Sequence, residues 1–170
     1  MRVRASLMVS GTLLSCVAMH YAPSELPVEA ISRSFSTVQL KTEPEVQRVV
    51  SNATAAKRAI MFVHVDWAPM EPQRTHFAEF ALQYQRAHLN DAVQFHYVDM
   101  TLAHSYGPLR SIPGWIQLEN SGRYPGESLI HGWGEIVWLE AGRALHVERI
   151  VNFASADKLV ELTENLMCTN

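Results

Sequence analysis

The sequence predicts an α/β fold, a mixed central sheet flanked by helices, on three observations. Short β-branched runs alternate with segments of helical period. Two later apolar runs are joined by Glu140-Ala141-Gly142-Arg143, a hairpin signature with glycine in the turn. A final segment repeats apolar residues at helical spacing. Alternating βαβ followed by a hairpin and a helix is a restrictive order, because strand connections are short and of fixed hand.

The elements follow in chain order. Phe35, Thr37 and Gln39 alternate with Ser36, Val38 and Leu40, which suits a short first strand. Thr42-Glu43-Pro44-Glu45 is a capping box with proline near the first helical position, and Val46, Val49 and Val50 then turn inward. Residues 60–66 form a second strand. A helix over 72–88 sets Phe77, Phe80, Ala81 and Tyr84 at i, i+3, i+4 and i+7, and a third strand covers 93–99. Residues 136–139 and 144–150 are the hairpin. Ser155 caps the last helix, with Leu159, Leu162, Leu166 and Met167 as its apolar face.

Between the second strand and its helix stands Trp67-Ala68-Pro69, followed by Met70, Glu71, Pro72, Gln73 and Arg74. This segment, with the element order, resembles the thioredoxin and protein disulfide isomerase type of domain, in which such a lead-in opens a Cys-x-x-Cys. The resemblance spans residues 35–167 and implies a thioredoxin-like fold. Here the dithiol positions hold Met70 and Gln73, or Glu71 and Arg74, so no thiolate is available for disulfide exchange. Residues 103–133 depart from the family as an insert of about thirty residues before the hairpin. The family's cis-proline position then falls on Gly134, since a strand must run straight into the hairpin. A second alignment uses Tyr106-Gly107 and Ile112-Pro113 and places it at Pro113.

The 170 residues accommodate one domain and a tail. A net charge of -3 excludes the basic footprint of a nucleic-acid binder. Arg2 and Arg4 precede an uncharged apolar stretch, so residues 1–24 read as a signal peptide or membrane anchor, and 25–34 as a linker. Three fates compete: an uncleaved anchor over residues 5–21, lipidation of Cys16 within the lipobox-like Leu13-Leu14-Ser15-Cys16, or cleavage after Ala22. Each places the domain on the extracytoplasmic, periplasmic side of a bacterial envelope. Asn52-Ala53-Thr54 is a chance glycosylation sequon in that setting.

Three constellations bear on function. His64 and Asp66 share a strand face, with His96 on the neighbouring strand and Glu135 opening the next; they suit a buried structural pair, a metal site or acid–base chemistry. Tyr106, Arg110, Trp115, Arg123, Tyr124 and Trp133 give the insert the composition of a recognition surface, or else pack it onto the sheet. Cys168, in the tail 168–170, offers at most a one-cysteine redox role. The chain therefore reads as a redox-inactive thioredoxin-like module that binds a protein or peptide partner, with no cofactor and no resident metal expected.

Overall fold

A computed structural model of the chain describes residues 42–65, 71–103, 105–122 and 125–167. The targeting segment, the linker, the strand expected over 35–40, the loop 66–70, Arg123, Tyr124 and the tail with Cys168 lie outside the described residues.

Thr42 opens the first helix, α1 (Glu43–Ala55); Glu45 Oε2 accepts from both the Thr42 N–H and its hydroxyl at 2.8 Å. This is the reciprocal half of the capping box, and it satisfies a backbone donor that the helix cannot. Strand β1 (Arg58–His64) follows, then α2 (Glu71–Ala87) and β2 (Val93–Asp99). The long connection to the hairpin holds two short helices, α3 (Gly107–Arg110) and α4 (Trp115–Ser121). The hairpin pairs β3 (Glu135–Glu140) with β4 (Arg143–Arg149), and a 3₁₀ turn (Ile150–Asn152) leads into α5 (Ala156–Met167).

The strand order is β2-β1-β3-β4. β1 and β2 run parallel in the register His64↔Asp99, while β3 is antiparallel to both β1 and β4. A parallel pair followed by an antiparallel hairpin, joined through helices on both faces, is the arrangement of a thioredoxin-like fold. At the hairpin tip Ala141 (φ 49) and Gly142 (φ 75) both take positive φ, the backbone of a tight turn matched to strand twist.

The pleat sorts the core into two layers. Ile60, Phe62, Tyr97, Ile136 and Trp138 pack against Phe77, Phe80 and Tyr84 of α2 and Leu159 and Met167 of α5. Met61, Val63, Val98, Val137 and Leu139 face the other way, against Val46, Val50 and Ala53 of α1 and Leu109 and Trp115 of the connection. On α5 the position between the apolar residues is filled by buried Thr163. Its hydroxyl accepts from Trp138 Nε1 (2.9 Å) and donates to the Leu159 carbonyl (2.7 Å), so the indole keeps a partner in the core. Among the described residues no helix is long and apolar enough to cross a membrane.

Candidate functional site

The end of the sheet where β1 and β2 finish gathers polar side chains under the first turn of α2. His64, the last residue of β1, is buried and lies beside Asp99, the last residue of β2. The Asp99 Oδ1 accepts from the Thr101 N–H at 2.9 Å, while Oδ2 is buried without a hydrogen-bond partner among the described residues. The His64 ring sits 5.6 Å from the Tyr97 ring. Arg74 of α2 lies close enough to the Tyr97 hydroxyl for its positive charge to act on it. Burial drives the Tyr97 pKa well above its ordinary value, opposed by the nearby Arg74 guanidinium and reinforced by the negative charge of Asp99. The residue at one of the two candidate second dithiol positions is therefore a guanidinium beside the sheet's Tyr97, not a thiol. Glu71 and Pro72 in the same turn are exposed.

A second feature stands at the start of β3. Gly134 immediately precedes the strand with φ +77, a conformation that a side chain resists. A Cβ there would lie 2.9 Å from Phe62 Cε2 and 3.0 Å from Ile150 Cγ2. Pro113 lies instead before α4, and its carbonyl accepts from the Ala144 N–H of β4 at 2.8 Å. Next to Gly134, Glu135 is completely buried. Its Oε1 accepts from the backbone N–H groups of His131 (3.0 Å) and Trp133 (3.2 Å), which fixes the turn between them. Its Oε2 has no hydrogen-bond partner among the described residues. Burial, then the Glu135 charge, raises the pKa of Tyr106. Beside the turn lies a groove of about 610 Å³ lined by Leu129, His131, Glu135, Val147, Glu148, Arg149 and Asn152. Trp133 is 51 % exposed at this end of the sheet, and Val151, across the Ile150 N–H to Gly134 carbonyl hydrogen bond (2.8 Å), is 49 % exposed.

Of the expected cluster of His64, Asp66, His96 and Glu135, the three described members, His64, His96 and Glu135, do not converge. Met61 is the register neighbour of His96, and His64 stands three residues further along β1. An odd offset puts the two histidines on opposite faces of the sheet. His96 lies on the α1 face, where burial lowers its pKa. Glu135 is opposite Val63, so it too faces away from His64. Asp66 lies outside the described residues. Among those described, no three His, Cys, Asp or Glu side chains gather to hold a metal.

The residue that does stand beside His64 is Asp99, which the sequence reading passed over. Aligning the two strand ends, in place of the two histidines, points to it.

The recognition surface expected of the connection is corrected in part. Trp115 is 1 % exposed, and its Nε1 donates to Glu119 Oε1 at 3.0 Å; Arg110 Nε donates to the same oxygen at 3.0 Å. Glu119 is 5 % exposed, so one buried carboxylate ties α3 to α4, and Trp115 is core. Tyr106 is half-buried against the same layer. Of the described members, Trp133 alone presents a large aromatic surface to solvent. Arg123 and Tyr124 lie outside the described residues, as do Trp67, Ala68, Pro69 and Met70 of the motif loop.

No family model and no curated protein matches the sequence. Among solved structures the chain is similar to thioredoxin O2 from Arabidopsis thaliana in its oxidized state, with 16% identity and a TM-score of 0.46, over 78% of this chain and 96% of that one. The fold assignment rests on the strand order and connectivity described above.

Proposed function

We propose that this protein is a redox-inactive thioredoxin-like module that binds a protein or peptide partner at the cell envelope. The observation that carries the reading is the first turn of α2. It carries exposed Glu71 and Pro72, with Arg74 beside Tyr97, at the positions that the resemblance aligns with a thioredoxin's dithiol. The whole sequence has two cysteines, Cys16 and Cys168, neither of them near that turn in sequence. Exchange needs a thiolate, and no residue of α2 supplies one. Half-exposed Trp133 at the same end of the sheet is the kind of aromatic anchor on which partner binding concentrates.

Two measurements test this. The full-length protein should give no turnover in insulin disulfide reduction; sustained reduction overturns the redox-inactive half. A photo-crosslinking side chain at position 133 should give a discrete protein adduct in cells. The same side chain at Leu89, 63 % exposed at the other end of the sheet, should give none. Equal adducts from both positions, or none from 133, overturn the binding half.

The envelope location rests on Arg2, Arg4 and the apolar run after them. Membrane attachment is by residues 5–21 or by lipidated Cys16. Cys16→Ser releases a lipoprotein and leaves a helical anchor in place. Recovery of the wild-type chain in the soluble cytoplasmic fraction overturns both.

A further inference from the structure

We infer that the groove beside Glu135 is a pocket for a lysine side chain, presented by an extended segment of the partner; the inference rests on the reading of this domain as a partner-binding module. Glu135 is the observation that carries it. The residue is 0 % exposed, and Oε1 is held by two backbone donors. Oε2 is left without a hydrogen-bond partner among the described residues, and the residue lines a groove of about 610 Å³. A buried acceptor with nothing to accept is costly, and an incoming donor recovers that cost. The favoured donor is cationic, since a charge-assisted hydrogen bond is about twice as strong as a neutral one.

The lining selects among cations. Two carboxylates, Glu135 and Glu148, stand against one guanidinium, Arg149, and among the described residues Arg149 forms no ion pair with either. Glu148 Oε1 is already engaged by Asn152 Nδ2 (2.7 Å) and the Arg149 N–H (2.9 Å). Of the groove's carboxylate oxygens, Glu135 Oε2 is then the one that is both buried and without a partner among the described residues. A single acceptor suits the compact ammonium of lysine, whereas arginine prefers a two-oxygen fork. Leu129 and Val147 supply half-buried apolar walls for the methylene stem. Trp133 donates its backbone N–H to the same carboxylate and exposes its ring two residues away, so a peptide residue flanking the lysine meets an aromatic face.

The test uses the full-length chain and amide NMR. N-acetyl-lysine N-methylamide should bind saturably and shift the His131, Trp133 and Val147 amides, while the norleucine analogue should not. Glu135→Gln keeps a carbonyl oxygen for the two backbone donors and removes the charge; it should weaken the lysine probe at least tenfold with the remaining spectrum unchanged. Val147→Phe, which narrows the groove and leaves Glu135 in place, should weaken it as well and serves if the first variant does not fold. No response to the lysine probe, an equal response to norleucine, or undiminished binding in the folded variants overturns the inference. Tighter binding of the anionic N-acetyl-norleucine carboxylate does so too. Butylamine binding as tightly as the lysine probe shows a free-amine site and overturns the peptide source. An intact position-133 adduct without lysine binding sinks this inference alone; lysine binding without the adduct sinks the partner reading alone.

Discussion

Where β1 and β2 begin, Arg58 reaches Glu140 at 3.2 Å and Asp91 at 3.4 Å, and the Tyr84 hydroxyl donates to Asp91 at 2.7 Å. Nearby, His88 meets Glu164 at 2.9 Å and ties α2 to α5. Where the same strands finish, Asp99 and, on the other face of the sheet, Glu135 are each fully buried, with one carboxylate oxygen bonded and the other without a partner among the described residues. One end spends its polar groups on closing the structure. The other holds acceptors in reserve beside the first turn of α2, the groove and Trp133. Buried polar groups in native proteins are overwhelmingly paired, so unpaired ones concentrated at one end call for a role outside folding.

Four perturbations break or sharpen this contrast. The largest effect is expected from Gly134→Pro. Proline holds φ near −65°, against +77° here, and its Cβ would crowd Phe62 and Ile150. A loss of roughly 3 kcal/mol or more is expected in urea unfolding. An unchanged midpoint would mean that the turn re-forms around a proline. Arg58→Met comes next: it strips Glu140 of its partner and leaves Asp91 with Tyr84 alone, at a cost of about 2 kcal/mol.

At the opposite end the sign should change. Asp99→Asn keeps the acceptor for Thr101 and removes a buried charge, so stability should be unchanged or raised by up to about 1 kcal/mol. A loss as large as that of Arg58→Met would erase the distinction between the two ends. The smallest effect belongs to His96, midway along β2 and part of neither end. Burial lowers its pKa in the folded state, so the unfolded chain takes up the proton first, near the ordinary value of about 6.5. Its contribution is therefore present above about pH 6.5 and lost as pH falls towards the lower folded value. His96→Gln should flatten that acid limb in urea titrations at about pH 7, 6 and 5, and an unaltered limb would assign it to other groups.

Much of the fold was legible because it is written locally. The capping box at Thr42, the period of Phe77, Phe80 and Tyr84, and the glycine turn at 142 each specify their own neighbourhood. The site was less legible because it depends on register. Whether His64 meets His96 or Asp99 turns on a single odd or even offset between strands, which neither strand encodes alone. The insert misled for a different reason. Composition marks Trp115 as an aromatic in a loop-rich stretch, but its partner Glu119, one helical turn onward, draws it into the core. Nothing in the residue pattern around Gly134 distinguished a position free to accept proline from one held at positive φ; that follows from Phe62 and Ile150, brought there by β1 and by the turn after β4.

The hydrogen bond from Ala144 to the Pro113 carbonyl has a consequence for how copies of this protein meet. Among the described residues β4 is the last strand on its side of the sheet, and such a strand offers a template on which another chain can pair. Here the connection lies directly on it: a Cβ on Gly114 would approach the Ala144 carbonyl to 2.8 Å, so the backbones are nearly in contact. The skipped register between Leu139↔Ala144 and Trp138↔His146 also bends the margin away from a flat template. The molecule thus carries its own guard against sheet-to-sheet growth. Shortening the connection would be felt as self-association in concentrated solution before it was felt as loss of the domain.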